Sequence, residues 1–213
     1  MSPTAIAVTG GIASGKSRVV SWLAQGGAFS HYDADEEVRC LLEPGGQGLR
    51  RLRSWLAADY FADDGTLLKP RLRRAIFDDP WLRGRVEGDL HPLVLANLQA
   101  KIAASGCPCL VEVPLLYEVG WQAYFDAVLV VYASDLIANA RLMARDGVSA
   151  DQAQAALQAQ LPISEKVGKA DYVVDNSRGW PETQAQLVEI KKKLMSFSQE
   201  KSLTARLNSS YMG

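Results

Sequence analysis

The stretch from Ala5 to Ala24 places the tightest constraint on the fold of this chain. An apolar run, Ala5 to Val8, is followed by residues 10–17, GGIASGKS, which match G-x-x-x-x-G-K-[S/T] at every fixed position. Apolar residues then recur at helical spacing as far as Ala24, and two glycines follow. The sequence therefore predicts a buried strand, a glycine-rich loop and a helix. In that context the inward-pointing N–H groups of such a loop cradle phosphate.

Two side chains of this phosphate loop carry chemistry of their own. Lys16 can reach the β- and γ-phosphates of a nucleotide, and the Ser17 hydroxyl can ligate Mg²⁺. The Asn-Lys-x-Asp and Asp-x-x-Gly motifs of GTPase switch proteins are absent from the sequence. A motor or transport ATPase would place an acidic residue after an apolar strand. Glu112 is the candidate for that residue, but we predict that it lies inside its strand, within residues 110–113.

Further apolar runs predict an α/β fold in which a parallel sheet is covered by helices. The runs alternate with helical segments, one of which opens with a capping box formed by Ser149 and Gln152. We predict a core of residues 1–35 and 105–190, with a lid region at 137–170. The remaining segments are a helical insertion at 36–104 and a frayed tail at 191–213. The predicted strands lie at 5–8, 28–32, 109–113, 128–131 and 172–174.

Composition excludes several classes of protein. With 48% hydrophobic and 22% charged residues and a net charge of −1, the 213-residue chain has ordinary globular composition and no global field that would favour nucleic acid or membranes. Two histidines and three scattered cysteines argue against a zinc site, and the pair Cys107 and Cys109 stands too close for a disulfide framework. We expect a cytoplasmic protein with no signal peptide and no membrane span.

The second predicted strand runs into Asp33-Ala34-Asp35. In a parallel sheet this places carboxylates at the carboxyl end of a strand, beside the phosphate loop. A carboxylate there can accept the proton of a substrate hydroxyl that attacks the γ-phosphorus. The alternative is that these aspartates cap the helix that begins near Glu36.

Arginines dominate the basic residues of the insertion. Between Arg39 and Arg85 there are nine arginines and one lysine against six acidic residues, a local net charge of about +4. Arginine is the better bidentate reader of phosphate, so the segment favours an acceptor that carries its own phosphates over a neutral sugar. A solvated helical face remains the alternative interpretation of the arginines in the insertion.

Arg141 and Arg145 lie four apart on a predicted helix. They either close over the transferring phosphoryl group or form a surface row with Asp146 and Asp151.

Taken in order, these motifs resemble the dephospho-CoA kinase family. The resemblance runs from about Ala5 to Asn176 and includes VPLLYE at residues 113–118. It implies a five-stranded parallel sheet with an inserted CoA-binding domain and a lid. It also implies transfer of phosphate from ATP, with Mg²⁺, to the ribose 3′-hydroxyl of dephospho-CoA in the last step of coenzyme A synthesis. The other matching pieces are TGGIASGKS at 9–17, DAD at 33–35, PG at 44–45, DGTL at 64–67, LRRAIF at 72–77, LHPL at 90–93 and ADYVVDN at 170–176.

The resemblance also implies roles for individual residues. Asp35 would be the general base. The magnesium ion would be held by Ser17, and by Asp35 through a water molecule. The catalytic residues would be Asp35, Lys16 and Arg141. ATP would be bound by Gly11, Ile12, Ala13, Ser14, Gly15, Lys16, Ser17, Arg18, Arg145 and Asn176. The acceptor would be bound by Thr9, Asp33, Arg73, His91 and Leu116.

The sequence departs from the family pattern at three positions. Ala13 stands where the family usually has glycine, Arg18 where threonine is frequent, and Ile163 where an arginine often follows Gln160. If a lid arginine is needed, Arg141, Arg145 or Lys166 must substitute. The remaining alternatives are another small kinase, such as one for nucleoside monophosphates, and a non-catalytic nucleotide-binding module. We expect a monomer.

Overall fold

The computed structural model describes residues 3–210, with side chains as far as Thr204. The chain divides into two compact units. The core unit contains the residues up to Tyr32 together with those from Ile102 onward, and the inserted unit is Asp33–Lys101. The boundaries of the inserted unit lie three residues before those predicted for the insertion at each end.

The core unit is built on a five-stranded parallel sheet. Its strands are β1 Ala5–Gly10, β2 Ser30–Asp33, β3 Cys109–Glu112, β4 Ala127–Tyr132 and β5 Tyr172–Asp175. They lie in the order β2-β3-β1-β4-β5. β1 occupies the centre and all six of its residues are buried, as its continuous apolar sequence predicts. In such a sheet the loops at the carboxyl ends of the strands form the binding crevice.

Helices pack against this sheet through a shared apolar cluster. Val20 and Leu23 of the first helix join Ile6, Leu129 and Leu187 in one buried core. The predicted capping box is confirmed, because Ser149 accepts from the N–H of Gln152 while the Gln152 side chain accepts from the N–H of Ser149. The helices of this unit are α1 Lys16–Ala24, α6 Asp135–Asp146, α7 Ala150–Gln158, α8 Ile163–Gly168 and α9 Trp180–Ser210, together with the last residues of α5 Pro80–Ala104.

The inserted unit is helical and has its own leucine-rich core. Leu52 is fully buried, and Leu49, Leu72 and Leu90 pack in the same cluster. Its buried carboxylate, Glu37, is paired with Lys101. The helices are α2 Ala34–Leu41, α3 Gln47–Arg53, α4 Lys69–Asp78 and α5 Pro80–Ala104.

Two sequence predictions are wrong. The tail from Lys191 is not frayed within the described residues, because α9 continues to Ser210. Leu194 of that segment is fully buried in the core cluster, and Lys201 forms an ion pair of 2.6 Å with Asp126. Residues 211–213 lie outside the described part of the chain. The second error concerns Glu112, which is the last residue of β3 rather than an interior one.

No helix in the described part of the chain is long and apolar enough to cross a membrane.

Candidate active site

Two glycines of the phosphate loop are required by close approach of other backbone and side-chain atoms. A Cβ on Gly10 would lie 2.3 Å from the carbonyl oxygen of Val131. A Cβ on Gly15, where φ is +88°, would lie 2.4 Å from Nδ2 of Asn176. Both distances are far below van der Waals contact, so only glycine fits at either position.

Ala13 has a left-handed backbone conformation that usually belongs to glycine. Its φ is +55°, the one positive φ of a non-glycine residue in the described part of the chain. This is the position at which the resemblance implies glycine. The strain of an L-residue here is therefore accepted at the loop itself, as often happens at functional sites.

Asn176, directly after β5, holds the phosphate loop through its side chain. Its buried side-chain amide donates to the carbonyl of Ser14 at 2.7 Å and accepts from the Thr183 hydroxyl at 2.9 Å. Arg141 of α6 donates to the backbone carbonyl of Asn176 at 2.9 Å. The Asn176 side chain is 5% exposed, and both of its polar groups have partners within the protein.

The two side chains predicted to carry the loop's chemistry are both engaged with neighbouring atoms. Lys16 Nζ donates to the carbonyl of Gly11 at 3.1 Å. The Ser17 hydroxyl donates to Oε2 of Glu112 at 2.9 Å, and Oε1 of the same carboxylate lies 3.0 Å from His31 Nε2. Glu112, which the sequence analysis named as a candidate but predicted to lie inside its strand, is thus in contact with the loop serine. An acidic residue at the end of an apolar strand was the available signal.

The hydroxyl oxygen of Ser17 and the carboxylate oxygens of Glu112 fit a magnesium ion. Mg²⁺ takes oxygen ligands, and P-loop proteins hold it with the loop serine or threonine and an acidic residue from the end of a neighbouring strand. Ser17 and Glu112 supply that donor pair, and the Glu112 side chain is 4% exposed. No cluster of three or more histidine, cysteine or acidic side chains that could hold a metal by itself occurs among residues 3–204.

The two arginines of α6 have different surroundings. Arg141 is half-buried and faces Asn176, and its second terminal nitrogen is buried with no hydrogen-bond partner among the described side chains and backbone. Arg145 is exposed and donates twice to Asp146, at 2.7 and 2.9 Å. The structure thus brings Arg141 to the backbone of Asn176, the residue that donates to Ser14 of the phosphate loop, and leaves Arg145 in the surface pairing that was its alternative interpretation.

The other departures from the family pattern also have visible partners. The guanidinium carbon of Arg18 lies 3.9 Å from the centre of the Trp180 ring, so this side chain stacks on an aromatic partner. Ile163 contributes its δ-carbon to the space beside Gly11. Lys166 is fully buried and paired with Glu118 at 2.7 Å, so it does not replace the missing lid arginine.

Two predicted acceptor-binding residues are interior in this structure. Thr9 and Leu116 both have a relative exposure of 0%, and the Thr9 hydroxyl donates to the carbonyl of Pro114 at 3.1 Å. A direct side-chain contact with the acceptor is therefore not offered by either residue. The signal that selected them, membership of a recurring motif, reflects packing at these positions.

The inserted unit contains a cavity of about 390 Å³ whose lining combines basic and apolar side chains. Asp35 of α2 lies at this cavity together with Arg39, Lys69 and Arg73. Asp33 is the N-cap of α2, since its carboxylate accepts from the N–H of Asp35 at 2.8 Å. The apolar part of the lining is formed by Val38, Leu42, Leu67, Leu72, Ile76, Val86 and Leu90.

His91 lies within α5, which continues through Pro92. It is half-buried and is not part of the cavity lining of the inserted unit. Burial lowers the pKa of His91 below its ordinary value, and the nearby charge of Glu87 only partly opposes this.

A parallel sheet of order 2-3-1-4-5, with a complete phosphate loop between β1 and α1 and a helical unit inserted after β2, defines a P-loop kinase. The family model of dephospho-CoA kinase matches residues 4–182. The chain therefore belongs to the dephospho-CoA kinase family, whose members are ATP-dependent phosphotransferases.

Individual relatives agree with this assignment. The dephospho-CoA kinase of Anaeromyxobacter dehalogenans is 42% identical over 184 residues, covering 84% of this chain and 86% of the relative. Among solved structures, TT1252 from Thermus thermophilus superposes with a TM-score of 0.75 at 28% identity, covering 91% of this chain and 99% of the other. The dephospho-CoA kinase of Campylobacter jejuni, at 23% identity, shares the fold with a TM-score of 0.66, over 90% of this chain and 97% of the other.

Proposed function

We propose that this chain transfers the γ-phosphoryl group of ATP to the ribose 3′-hydroxyl of dephospho-CoA, with Asp35 as the general base. The observation that carries the proposal is the cavity of the inserted unit. Asp35 shares its lining with Arg39, Lys69 and Arg73 and with a broad apolar surface. An acceptor that carries a pyrophosphate and a long uncharged arm matches this combination of charge and apolar area.

The chemistry divides among few groups. The Asp35 carboxylate takes the proton of the 3′-hydroxyl, whose oxygen forms the new bond to the γ-phosphorus. The bond from the γ-phosphorus to the bridging oxygen breaks, and ADP leaves with that electron pair. Lys16 and Arg141 stabilise the negative charge on the phosphoryl oxygens, and the N–H groups of the phosphate loop hold the β-phosphate.

Ser17 would hold Mg²⁺ directly and Glu112 would hold it through water, while the carboxylate of Asp35 stays available for the acceptor. The metal ion, when bound, neutralises charge on the β- and γ-phosphates. The support is the contact of 2.9 Å between the Ser17 hydroxyl and the buried carboxylate of Glu112. We further propose a monomer that works in the cytoplasm, in keeping with cysteines that are all free.

The test is a coupled assay of ADP release with Mg·ATP and, in parallel, dephospho-CoA, adenosine, AMP, CMP or no acceptor. We expect strong stimulation by dephospho-CoA alone and a product with the mass of CoA. Stimulation by a monophosphate would keep the kinase chemistry and overturn the acceptor. Binding of ATP without any acceptor-dependent release would favour a non-catalytic nucleotide-binding module.

Lys16→Ala is the matched negative control for this assay. It removes the charge that the loop directs at the γ-phosphate, so we expect turnover to be lost with every acceptor. Unchanged turnover in this variant would contradict the assignment of the phosphate loop itself.

A further inference from the structure

A buried lysine of the core unit has no part in the chemistry proposed above. Lys166 of α8 is fully buried, its Nζ lies 2.7 Å from Oε1 of Glu118, and it donates to the carbonyl of Pro114 at 3.2 Å. Burial of an ammonium group is strongly unfavourable unless the group is paired and hydrogen-bonded. Lys166 meets both conditions, so its burial depends on the positions of its two partners, Glu118 and Pro114.

The Glu118–Lys166 pair joins two segments that are distant in sequence. Glu118 belongs to the turn after β3, and the oxygen that contacts Lys166 also accepts from the backbone N–H of Leu161 at 3.1 Å. Pro114 in the same turn accepts from the Thr9 hydroxyl, so the turn is tied to β1, the strand that leads into the phosphate loop. One carboxylate thus fixes the backbone immediately before α8.

That backbone carries the residues that contact the front of the phosphate loop. Gln160, next to Leu161, accepts from the N–H of Ile12 through its side-chain oxygen at 3.0 Å. The δ-carbon of Ile163 lies 3.9 Å from the place that a Cβ on Gly11 would take. Gln160, Ile163 and Ile12 all line one cavity of about 450 Å³ at the loop.

On the basis that the phosphate loop binds ATP as proposed above, we propose that Lys166 and Glu118 are positioning residues for ATP. Their ion pair holds residues 160–163 so that Gln160 can fix the N–H of Ile12 and order the front of the loop before the nucleotide arrives. A loop that is already ordered loses less conformational freedom on binding, and the affinity rises accordingly. Lys166 exerts this effect through Glu118 and Gln160, without touching the nucleotide.

The experiment measures equilibrium binding of a non-hydrolysable ATP analogue by calorimetry, together with steady-state KM values for both substrates. The variants are Lys166→Met, Glu118→Gln and Gln160→Leu. Each loses or loosens one of the contacts that connect Lys166 through Glu118 and Gln160 to Ile12, so we expect a Kd for the analogue roughly 3- to 10-fold higher. The KM for dephospho-CoA should stay within about twofold of the wild-type value, because the acceptor does not use this contact.

If Lys166 acts through Gln160, the effects of substituting the two residues are coupled. In the double variant Gln160→Leu/Lys166→Met the effects should not multiply, because both changes remove the same contact with Ile12. The matched controls are Lys169→Met and Glu165→Gln, two exposed side chains, one just after the same helix and one within it. Both should bind the analogue as the wild type does.

Several results would overturn the proposal. A lower melting temperature with unchanged analogue binding in Lys166→Met and Glu118→Gln would make the pair structural only. Multiplying effects in the double variant would mean that the pair and Gln160 act independently. Tighter binding by Gln160→Leu would mean that Gln160 blocks the loop.

The experiment still decides the question when one of the variants does not fold. If Lys166→Met does not fold by circular dichroism, Glu118→Gln decides, because a glutamine oxygen keeps the shape and an acceptor for Leu161. The wild-type protein separates this proposal from the function it rests on. Failure of the wild type to bind the analogue overturns the ATP site itself, whereas normal binding without stimulation by dephospho-CoA overturns only the acceptor.

Discussion

The Ser17 hydroxyl at the start of α1 donates to Oε2 of Glu112 at the end of β3, at 2.9 Å. The two residues are 95 positions apart in sequence. They meet because β3 lies beside β1 in the sheet, with Glu112 in register with Val8. Glu112 is therefore held at the carboxyl edge of the sheet, where the phosphate loop begins.

Glu112→Gln should raise the concentration of Mg²⁺ needed for half-maximal activity by roughly 10- to 100-fold, the usual effect of losing a supporting group at a metal site. Glutamine keeps an oxygen that can accept from Ser17 but lacks the negative charge. The measurement is a titration of Mg²⁺ at constant ATP. An unchanged requirement would limit Glu112 to orienting the serine hydroxyl.

Arg141→Met and Arg145→Met form a matched pair on one helix. We expect kcat to fall on the order of 10²-fold for Arg141→Met, because the half-buried guanidinium donates to Asn176 and is the group proposed to stabilise charge on the phosphoryl oxygens. Arg145→Met should stay within about threefold of wild type, since an exposed ion pair with Asp146 contributes little. Steady-state kinetics with both substrates decides. Equal losses would restore Arg145 as an ATP-binding residue.

Ala13 can be tested in both directions. Ala13→Gly removes the strain of a left-handed alanine, roughly 1 kcal/mol, but adds about as much unfolded-chain entropy, so we expect the free energy of unfolding to change by less than about 1 kcal/mol. Ala13→Val should lower the free energy of unfolding by more than about 1 kcal/mol, because a β-branched residue is a genuine outlier at φ +55°. Urea unfolding monitored by circular dichroism measures both. A large gain from glycine would mean that the strain of Ala13 had been underestimated.

The local features of this fold were predictable, and the partnerships across the sheet were not. The β1–loop–α1 unit follows from a contiguous pattern, and the Ser149 capping box follows from two residues three apart. The contact of Asn176 with Ser14 depends on the place of β5 at the sheet edge, two strands from β1. Nothing in a single sequence gives that order.

The predicted fraying of the tail from Lys191 overlooked an apolar periodicity. Leu187 and Ile190, before the tail, and Leu194, within it, recur at spacings of three and four and are buried. This periodicity continues α9 onto the core. The burial of Thr9 and Leu116, both assigned to the acceptor, was also not predicted, because a motif does not say which of its residues face inward.

His91 gives a prediction on pH. Because burial lowers the pKa of His91 below 6.5, the unfolded chain takes up a proton in a pH range where the folded protein does not. His91 therefore lowers stability as the pH falls from about 6.5 towards the folded-state pKa, and has no such effect above that range. His91→Gln should lose less stability than the wild type between pH 7.5 and pH 5.5 in urea unfolding. Parallel losses would show that His91 does not contribute to the acid sensitivity.

Asp35→Asn and Asp33→Asn separate the catalytic role from the capping role. Asp33 caps α2, and asparagine is as good a cap as aspartate, so Asp33→Asn should keep both stability and turnover near wild type. Asp35→Asn removes the proposed base without changing the side-chain shape. We expect kcat to fall by roughly 10²- to 10⁴-fold while binding of the ATP analogue is retained.

The decisive comparison is kcat against analogue affinity in the two variants. If Asp35→Asn turns over at a near-normal rate, the carboxylate does not accept the hydroxyl proton. If Asp33→Asn loses turnover while Asp35→Asn keeps it, the base is the residue that ends β2. Loss of analogue binding in Asp35→Asn would mean that this carboxylate supports the nucleotide site rather than the acceptor.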